Sequence, residues 1–468
     1  MAARKARTGD VASQRRARLN ALLRKHKSEY VTVAFVDLQG QLRGKTTAAE
    51  TLIGALETGI PFSADNFMLD YCDIKLVPEG YWSLDQDYAD ERCDVDWDRP
   101  RILPFEEPET DLLFFVEYAD GTKGGRWDPR RLFRRMLERA RDRGLIPTFA
   151  FEYEFRLFEE SADSLREKGF QRPKLMNEVS TFGGLIHQSE WSDLFKSMRT
   201  MCARMDIPIF SMHQEQAASM GEVALGHRPG FDAVDDAALF KTHSKTLAAK
   251  HNLLLSFMAR PLDDADGQSG HVHFSLKDRR GRPLFYNARS PHGMSDAQRH
   301  VVGGLQQLLP DALLMLAPNV NSFKRLLPGA FAPIAATWGV ENRTCAVRVI
   351  PGPPSAQRLE LRVPGSDANP YLAAAFLLGA ALWGLENECE PSEPTRGSSY
   401  ERTDETPEAL TFPISPLDAI DRFESSEACR ALFGEDFVRM FAGTRRAQAM
   451  QFASMVTDRE RERFLEMA

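Results

Sequence analysis

Residues Phe149 to Phe158 read FAFEYEFRLF, and this stretch decides how the rest of the chain is read. In a β-strand successive side chains point to opposite faces. One face therefore carries Phe149, Phe151, Tyr153, Phe155 and Leu157, a continuous apolar strip. The other carries Glu152 and Glu154, with Arg156 beyond them. Same-face neighbours lie about 7 Å apart along a strand. That is far to share one proton, but a good spacing for two carboxylates holding two separate cations. Taken alone, the segment is equally a half-exposed strand with a wet charged face.

The same alternation returns twice. GHVHFSL puts His271, His273 and Ser275 on one face and Val272, Phe274 and Leu276 on the other. RLELRV puts Arg358, Glu360 and Arg362 opposite Leu359, Leu361 and Val363. Strands that carry Glu, His and Arg, not Thr, Lys and Ser, suggest polar faces converging on a charged ligand. Carboxylate oxygens with an imidazole suit Mg²⁺ or Mn²⁺ better than thiophilic metals. Arg325, Arg343, Arg348, Arg358 and Arg362 fall in one short stretch. Cations with several guanidinium groups are what phosphoryl transfer requires, because both absorb phosphate charge.

A chain of 468 residues has room for a large core and two domains. The net charge of −8 argues against a nucleic-acid partner. No apolar run approaches a membrane span, so no membrane partner is expected. Cys72, Cys93, Cys202, Cys345, Cys389 and Cys429 are scattered without a CxxC pair, as expected of reduced thiols in a cytoplasmic protein. The basic segment from Arg4 to Lys27 leads through Leu19, Leu22 and Leu23 into a strand-like run, which reads as a tail and first helix and not as a transit peptide.

Three segments are expected: 1–25, a basic tail and the start of the first helix; 26–122, a small β-rich front domain; and 123–468, a large domain alternating strands and helices. Residues 30–45 form a strand turning at Gln39-Gly40, and DLLFFVEYADG another strand. Pro78 to Glu109 shows little periodicity. Asp128 is expected as an N-cap with Pro129 at the first helical position and Gly144 near the exit. Helices are expected in 191–205 and 236–252, and over NPYLAAAFLLGAALWGLE behind Asn369-Pro370. A strand is expected in LLLSFMARP (253–261).

FEYEF, MHQEQAASMGE, GQSGHVHFSL, NSFKRLLPGAFAP, WGVENRTCAVRV and RLELRVPGSDANPYL, in this order, resemble the glutamine synthetase superfamily. DLQGQLRGK resembles its N-terminal domain, so the resemblance runs from about residue 30 to the C-terminus. It implies an α+β fold: an N-terminal β-grasp domain plus a large C-terminal catalytic domain with a curved antiparallel sheet. Carried over by position, it implies Glu154, Glu215 and Glu222 as ligands of a first cation, and Glu152, His271 and Glu360 as ligands of a second. Two or more Mg²⁺ (or Mn²⁺) per subunit are implied, with ATP as substrate. Arg325 and Arg362 match the clamp on the glutamate carboxylates, and Gly267 and Asp266 the glutamate-binding loop. Arg343 matches the arginine that stabilises the transferring phosphoryl group. His273, Ser275, Arg348 and Arg358 fall on the nucleotide side.

The chain departs from the pattern at four places. Phe331 stands where ammonia-using members carry a glutamate that closes over the acyl phosphate. FSADNF replaces FDGSS, so Ser63 falls where an aspartate is expected, unless Asp65 fills the place. Ala218-Ser219-Met220-Gly221-Glu222 replaces PGQ-x-E, and Asp266 replaces an asparagine. Phenylalanine disfavours a bare ammonium ion and offers an apolar wall. With WG-x-ENRT-x-A-x-RV, this resembles the γ-glutamylpolyamine synthetase and glutamate–putrescine ligase branch.

The expected function is joining the γ-carboxylate of glutamate to an organic amine through a γ-glutamyl phosphate. The rivals are an ammonia-using glutamine synthetase and a non-catalytic structural or regulatory member. The resemblance also implies a homo-oligomer, a dodecamer of two hexameric rings, with Ser63 or Asp65 facing the next subunit's Phe331. Tyr400 is expected to be an ordinary surface residue.

Overall fold

The computed structural model describes residues 2–78, 88–180, 182–400 and 407–468, with side chains from Ser13 onward. Residues 79–87 of the aperiodic Pro/Asp-rich stretch, and 401–406 beyond Tyr400, lie outside the described residues.

Two sheets organise the chain. The front sheet has six strands: Tyr30–Val36 (β1), Leu42–Ala48 (β2), Ile60–Ser63 (β3), Asp90–Val95 (β4), Arg101–Ile102 (β5) and Leu112–Tyr118 (β6). Their order is β2-β1-β6-β4-β3, with β5 on β6. The hairpin β1–β2 is antiparallel, and β1 pairs in parallel with β6. Gly40, with φ +80°, permits the turn between β1 and β2. Two short strands, β4 and β5, lie in the stretch expected to be irregular; Asp90–Val95 carries charges at alternate and adjacent positions, which hid its period. The basic segment expected as a tail is part of a continuous helix, Ala2–His26.

The second sheet has nine strands: Leu145–Phe158 (β7), Ile209–Gln214 (β8), Met220–Leu225 (β9), Arg228–Pro229 (β10), Leu254–Ser256 (β11), Gly270–Asp278 (β12), Trp338–Val340 (β13), Val347–Ile350 (β14) and Arg358–Leu361 (β15). The order is β13-β14-β15-β12-β7-β9-β8, with β10 and β11 also pairing β7. Every pairing is antiparallel except β13 with β14, which is parallel. The architecture is α+β. The strand expected over 253–261 is only the three residues of β11; after Ser256 the backbone leaves the sheet to hydrogen-bond Gln268 and Asn321.

The apolar face of this sheet holds the fold together. Phe149, Phe151, Tyr153, Phe155 and Leu157 are all buried, each contributing about 1.5–3 kcal/mol. They pack against helices Pro129–Asp142 and Phe231–Lys250, and Pro370–Glu386 packs in turn on those two helices. Phe133 meets Phe149 edge-on at 5.7 Å, and Tyr153 stacks with Phe240 at 6.3 Å. Pro370–Glu386 is apolar all round, as a helix at the centre of a core must be. Asn369 caps it by accepting from Tyr371 and Leu372 N–H. Asp128 likewise accepts from Arg130 and Arg131 N–H, with Pro129 in the first turn. Among the described residues, no helix is long and apolar enough to cross a membrane.

Candidate active site

With the apolar face of the sheet buried, register aligns the polar face. His271 lies directly opposite Glu152, and His273 opposite Glu360. Glu360 is flanked on its other side by Arg348. Towards the other edge, Glu154 stands opposite Glu222, and Glu222 opposite His213. Six strands thus deliver a continuous row of acids, imidazoles and one guanidinium. A one-residue slip at any of them would turn its groups into the core.

The side chains converge. His273 Nε2 lies 2.9 Å from Glu152 Oε1. His271 Nδ1 is 3.6 Å from Glu152 Oε2 and 3.3 Å from Glu360 Oε1. His213 Nε2 is 3.5 Å from Glu215 and 3.6 Å from Glu222. Among the described residues, three groups have ligand atoms all within 4.8 Å of one another: Glu152, His273 and Glu360; Glu152, Glu222 and His271; His213, Glu215 and Glu222. The expected set Glu152, His271 and Glu360 is thus brought together around His271. Glu215 and Glu222 meet, whereas Glu154 stands outside these groups, its Oε2 accepting from Ser269 N–H at 2.6 Å.

Electrostatics mark Glu222 as the strained member. Burial, and then the carboxylates of Glu152, Glu154, Glu215 and Glu360, push its pKa up to about 9. Burial also opposes charge on Glu152, but hydrogen bonds from His271 and His273 outweigh it and hold that carboxyl well below its usual range. In Glu360, burial is outweighed by Arg362 and the same two imidazoles. A buried cluster of acids that share too few cations fits a divalent ion, and its oxygen and nitrogen donors fit Mg²⁺ or Mn²⁺.

The expected arginines occupy distinct places. Arg325 is buried, donating to Val363 O at 2.9 Å and to Arg362 O at 3.2 Å; burial draws its pKa down to about 10. Gly267 lies against it: a Cβ there would come within 2.8 Å of Arg325 Cγ. Arg362 pairs with Glu360 at the acid cluster, and Arg348 bridges Glu341 and Glu360. Arg358 Nε donates to His273 Nδ1 at 3.2 Å. Arg358, His273 and Ser275 line one cavity of about 310 Å³ together with Glu152. Arg343 is exposed. Ser63 lies in the front sheet, accepting from Asp65 N–H and, through its carbonyl, from Tyr118 O–H. Among the described residues, none of its hydrogen bonds reaches the cluster.

Phe331 is 58% exposed and has φ +51°. Tyr400 corrects the expectation of an ordinary surface residue: its ring meets Phe331 edge-on at 5.5 Å. Its phenol is raised, first by burial, while Arg362 and Arg325 pull the other way. Two further residues escaped the sequence reading. His213 could have been found, since period two in Ile209–Gln214 puts it on the face of Glu215. Phe210, 84% exposed, lines the cavity of Ser275 and Arg358; no local pattern marks it.

Residues 126–464 match the family model described as glutamine synthetase, catalytic domain. The chain is 32% identical to a γ-glutamylethanolamide synthetase of Streptomyces coelicolor, covering 96% of this chain and 95% of that protein. It is 30% identical to the γ-glutamylputrescine synthetase of Escherichia coli K12, covering 94% and 92%. It is 29% identical to a glutamate–isopropylamine ligase of a Pseudomonas species, covering 95% and 96%. Among solved structures, the GmaS–ADP complex superposes with a TM-score of 0.82 at 25% identity, covering 96% and 99%.

Proposed function

The chain belongs to the glutamine synthetase family, and from that premise we propose that it is an ATP-dependent ligase joining the γ-carboxylate of glutamate to an organic amine. Enzymes of the family use ATP and divalent cations. We read Glu152, His271 and Glu360, and Glu154, Glu215 and Glu222 with His213, as the groups that would hold two or more cations. Bound there, the cations would supply charge neutralisation at the phosphates.

The remaining steps belong to the chain's own residues. His273, Ser275 and Arg358 line a cavity suited to the nucleotide, with Phe210 offering an aromatic face at its wall. Arg362, paired with Glu360 at the cluster, is read as holding the reacting γ-carboxylate. Arg325, against Gly267, is read as holding the α-carboxylate. The γ-carboxylate oxygen takes the terminal phosphoryl group from ATP, releasing ADP. Arg343 and Arg348 are read as bearing the charge that develops. The amine nitrogen then attacks the acyl carbon, phosphate leaves, and the nitrogen gives up its proton.

The observation that carries the choice of amine is the aromatic pair of exposed Phe331 and half-buried Tyr400 beside the arginines. An ammonium ion needs carboxylates to hold it and take its proton, whereas an aromatic wall suits an amine with a carbon body. The relatives named for isopropylamine, ethanolamide and putrescine products support this reading. Replacing Phe331→Glu tests it. Ammonia-dependent turnover is expected to rise at least tenfold and organic-amine turnover to fall. No gain, with a wild-type protein already using ammonia well, would overturn the choice.

A homo-oligomer of stacked hexameric rings accords with the large apolar side chains left exposed on the single chain, Phe182, Leu185, Ile186, Phe464 and Leu465 among them. In that reading Ser63 and Asp65 complete the neighbouring subunit's site.

A further inference from the structure

Arg156 ends the polar row of β7, two residues beyond Glu154. It is fully buried, yet only one of its three guanidinium nitrogens has a partner. Nη2 donates to Asp266 O at 3.1 Å and touches Met220 Sδ at 3.6 Å; Nε and Nη1 have no partner. Among the described residues no carboxylate forms an ion pair with it. Leaving two charged donors buried and unpaired is costly, so the arrangement asks for an acceptor.

The space for one is present. Arg156 lines a cavity of about 790 Å³ whose walls include Asp266, Arg260, Ala217 and Pro328. Arg260 adds a third unpartnered nitrogen, its Nε. Asp266 precedes Gly267, which lies against Arg325, whereas Arg362 sits at the acid cluster. The cavity therefore extends the α-end of the pocket, away from the reacting γ-carboxylate. The carboxylate of Asp266, within electrostatic reach of Arg156 and Arg260, lies at the same rim.

We propose that Arg156 receives a further carbonyl or carboxylate oxygen carried on the α-end of the acid substrate. The preferred acid is then a glutamate extended at its α-amino or α-carboxyl group, with free glutamate a weaker substrate. This rests on the ligase reading of the same site.

The test is calorimetric binding of three acids to the full-length protein with Mg²⁺ and ADP present: L-glutamate, N-acetyl-L-glutamate and α-L-glutamylglycine. One extended acid is expected to bind on the order of tenfold to a hundredfold more tightly than glutamate, and which one does so identifies the extended group. Arg156→Met is expected to remove that preference, and Arg156→Lys, which keeps the charge without the fork, to remove most of it; ADP affinity reports whether each variant is folded. Glutamate binding as tightly as both extended acids, no binding by any of the three, or a preference that survives in a folded Arg156 variant would overturn the proposal, the last showing that water alone satisfies the guanidinium. Phosphate release with ATP and an amine panel separates the two readings. Acids that bind with the expected preference but support no release with any amine would refute the ligase and leave the Arg156 site standing.

Discussion

Around Glu222 the carboxylates of Glu152, Glu154, Glu215 and Glu360 all oppose its ionisation, and burial opposes it more. In the unfolded chain this group loses its proton near its ordinary value of 4.5; in the cation-free folded chain it does so near 9. Between those values the folded state binds the extra proton, so the cation-free protein loses stability as pH rises through that window. A cation must displace the same proton. Binding of Mg²⁺ or Mn²⁺ is therefore expected to strengthen from pH 6 to pH 9 and to release about one proton at neutral pH. Calorimetry in two buffers of different ionisation enthalpy measures that release, and Glu222→Gln should abolish it. Most of this cluster was legible in the sequence, because Glu152, His271 and Glu360 obey period two on strands whose other face is plainly apolar. Tyr400 and Arg156 were not. Tyr400 is paired to Phe331 by contact across 69 residues of chain, and the burial of Arg156 depends on a loop 110 residues away.

Among the elements, helix Pro129–Asp142 does more than cover the sheet. Its Arg130, with no exposed surface, reaches Asp96 at 2.7 Å and Asp235 at 3.1 Å, pairs with Glu117, and lies over the Phe231 ring at 4.3 Å. Glu117 and Asp96 belong to the front region, and Asp235 to helix Phe231–Lys250, so this one guanidinium ties both sheets' supports together. Arg130→Met leaves three acids buried without it and should cost about 3–5 kcal/mol. A thermal unfolding midpoint equal to wild type would show that the cluster is not structural. The helix itself was readable from Asp128 and Pro129, since capping and first-turn preferences are local. The short strands β4 and β5 were not, and β11 was read as longer than it is, because their pairing is set by neighbours far along the chain. The parallel β13–β14 pair was hidden for the same reason.

At the scale of the whole molecule, two sheets share one core while only the second carries the chemistry. The apolar face of the second sheet is buried under helices, which leaves the acids, imidazoles and arginines of six strands no direction but the site. Ser63, on the front sheet, makes its hydrogen bonds within that sheet's own surroundings, to Asp65 and Tyr118. We propose that this geometry makes amides from organic amines. Phosphate release from ATP by the purified protein with Mg²⁺ and glutamate, across ammonium, methylamine, ethanolamine, putrescine, spermidine and an aromatic amine, tests it most directly. Turnover with at least one organic amine is expected at a kcat/KM ten or more times that for ammonium. A preference for ammonium, or no amine-dependent release at all, would contradict it.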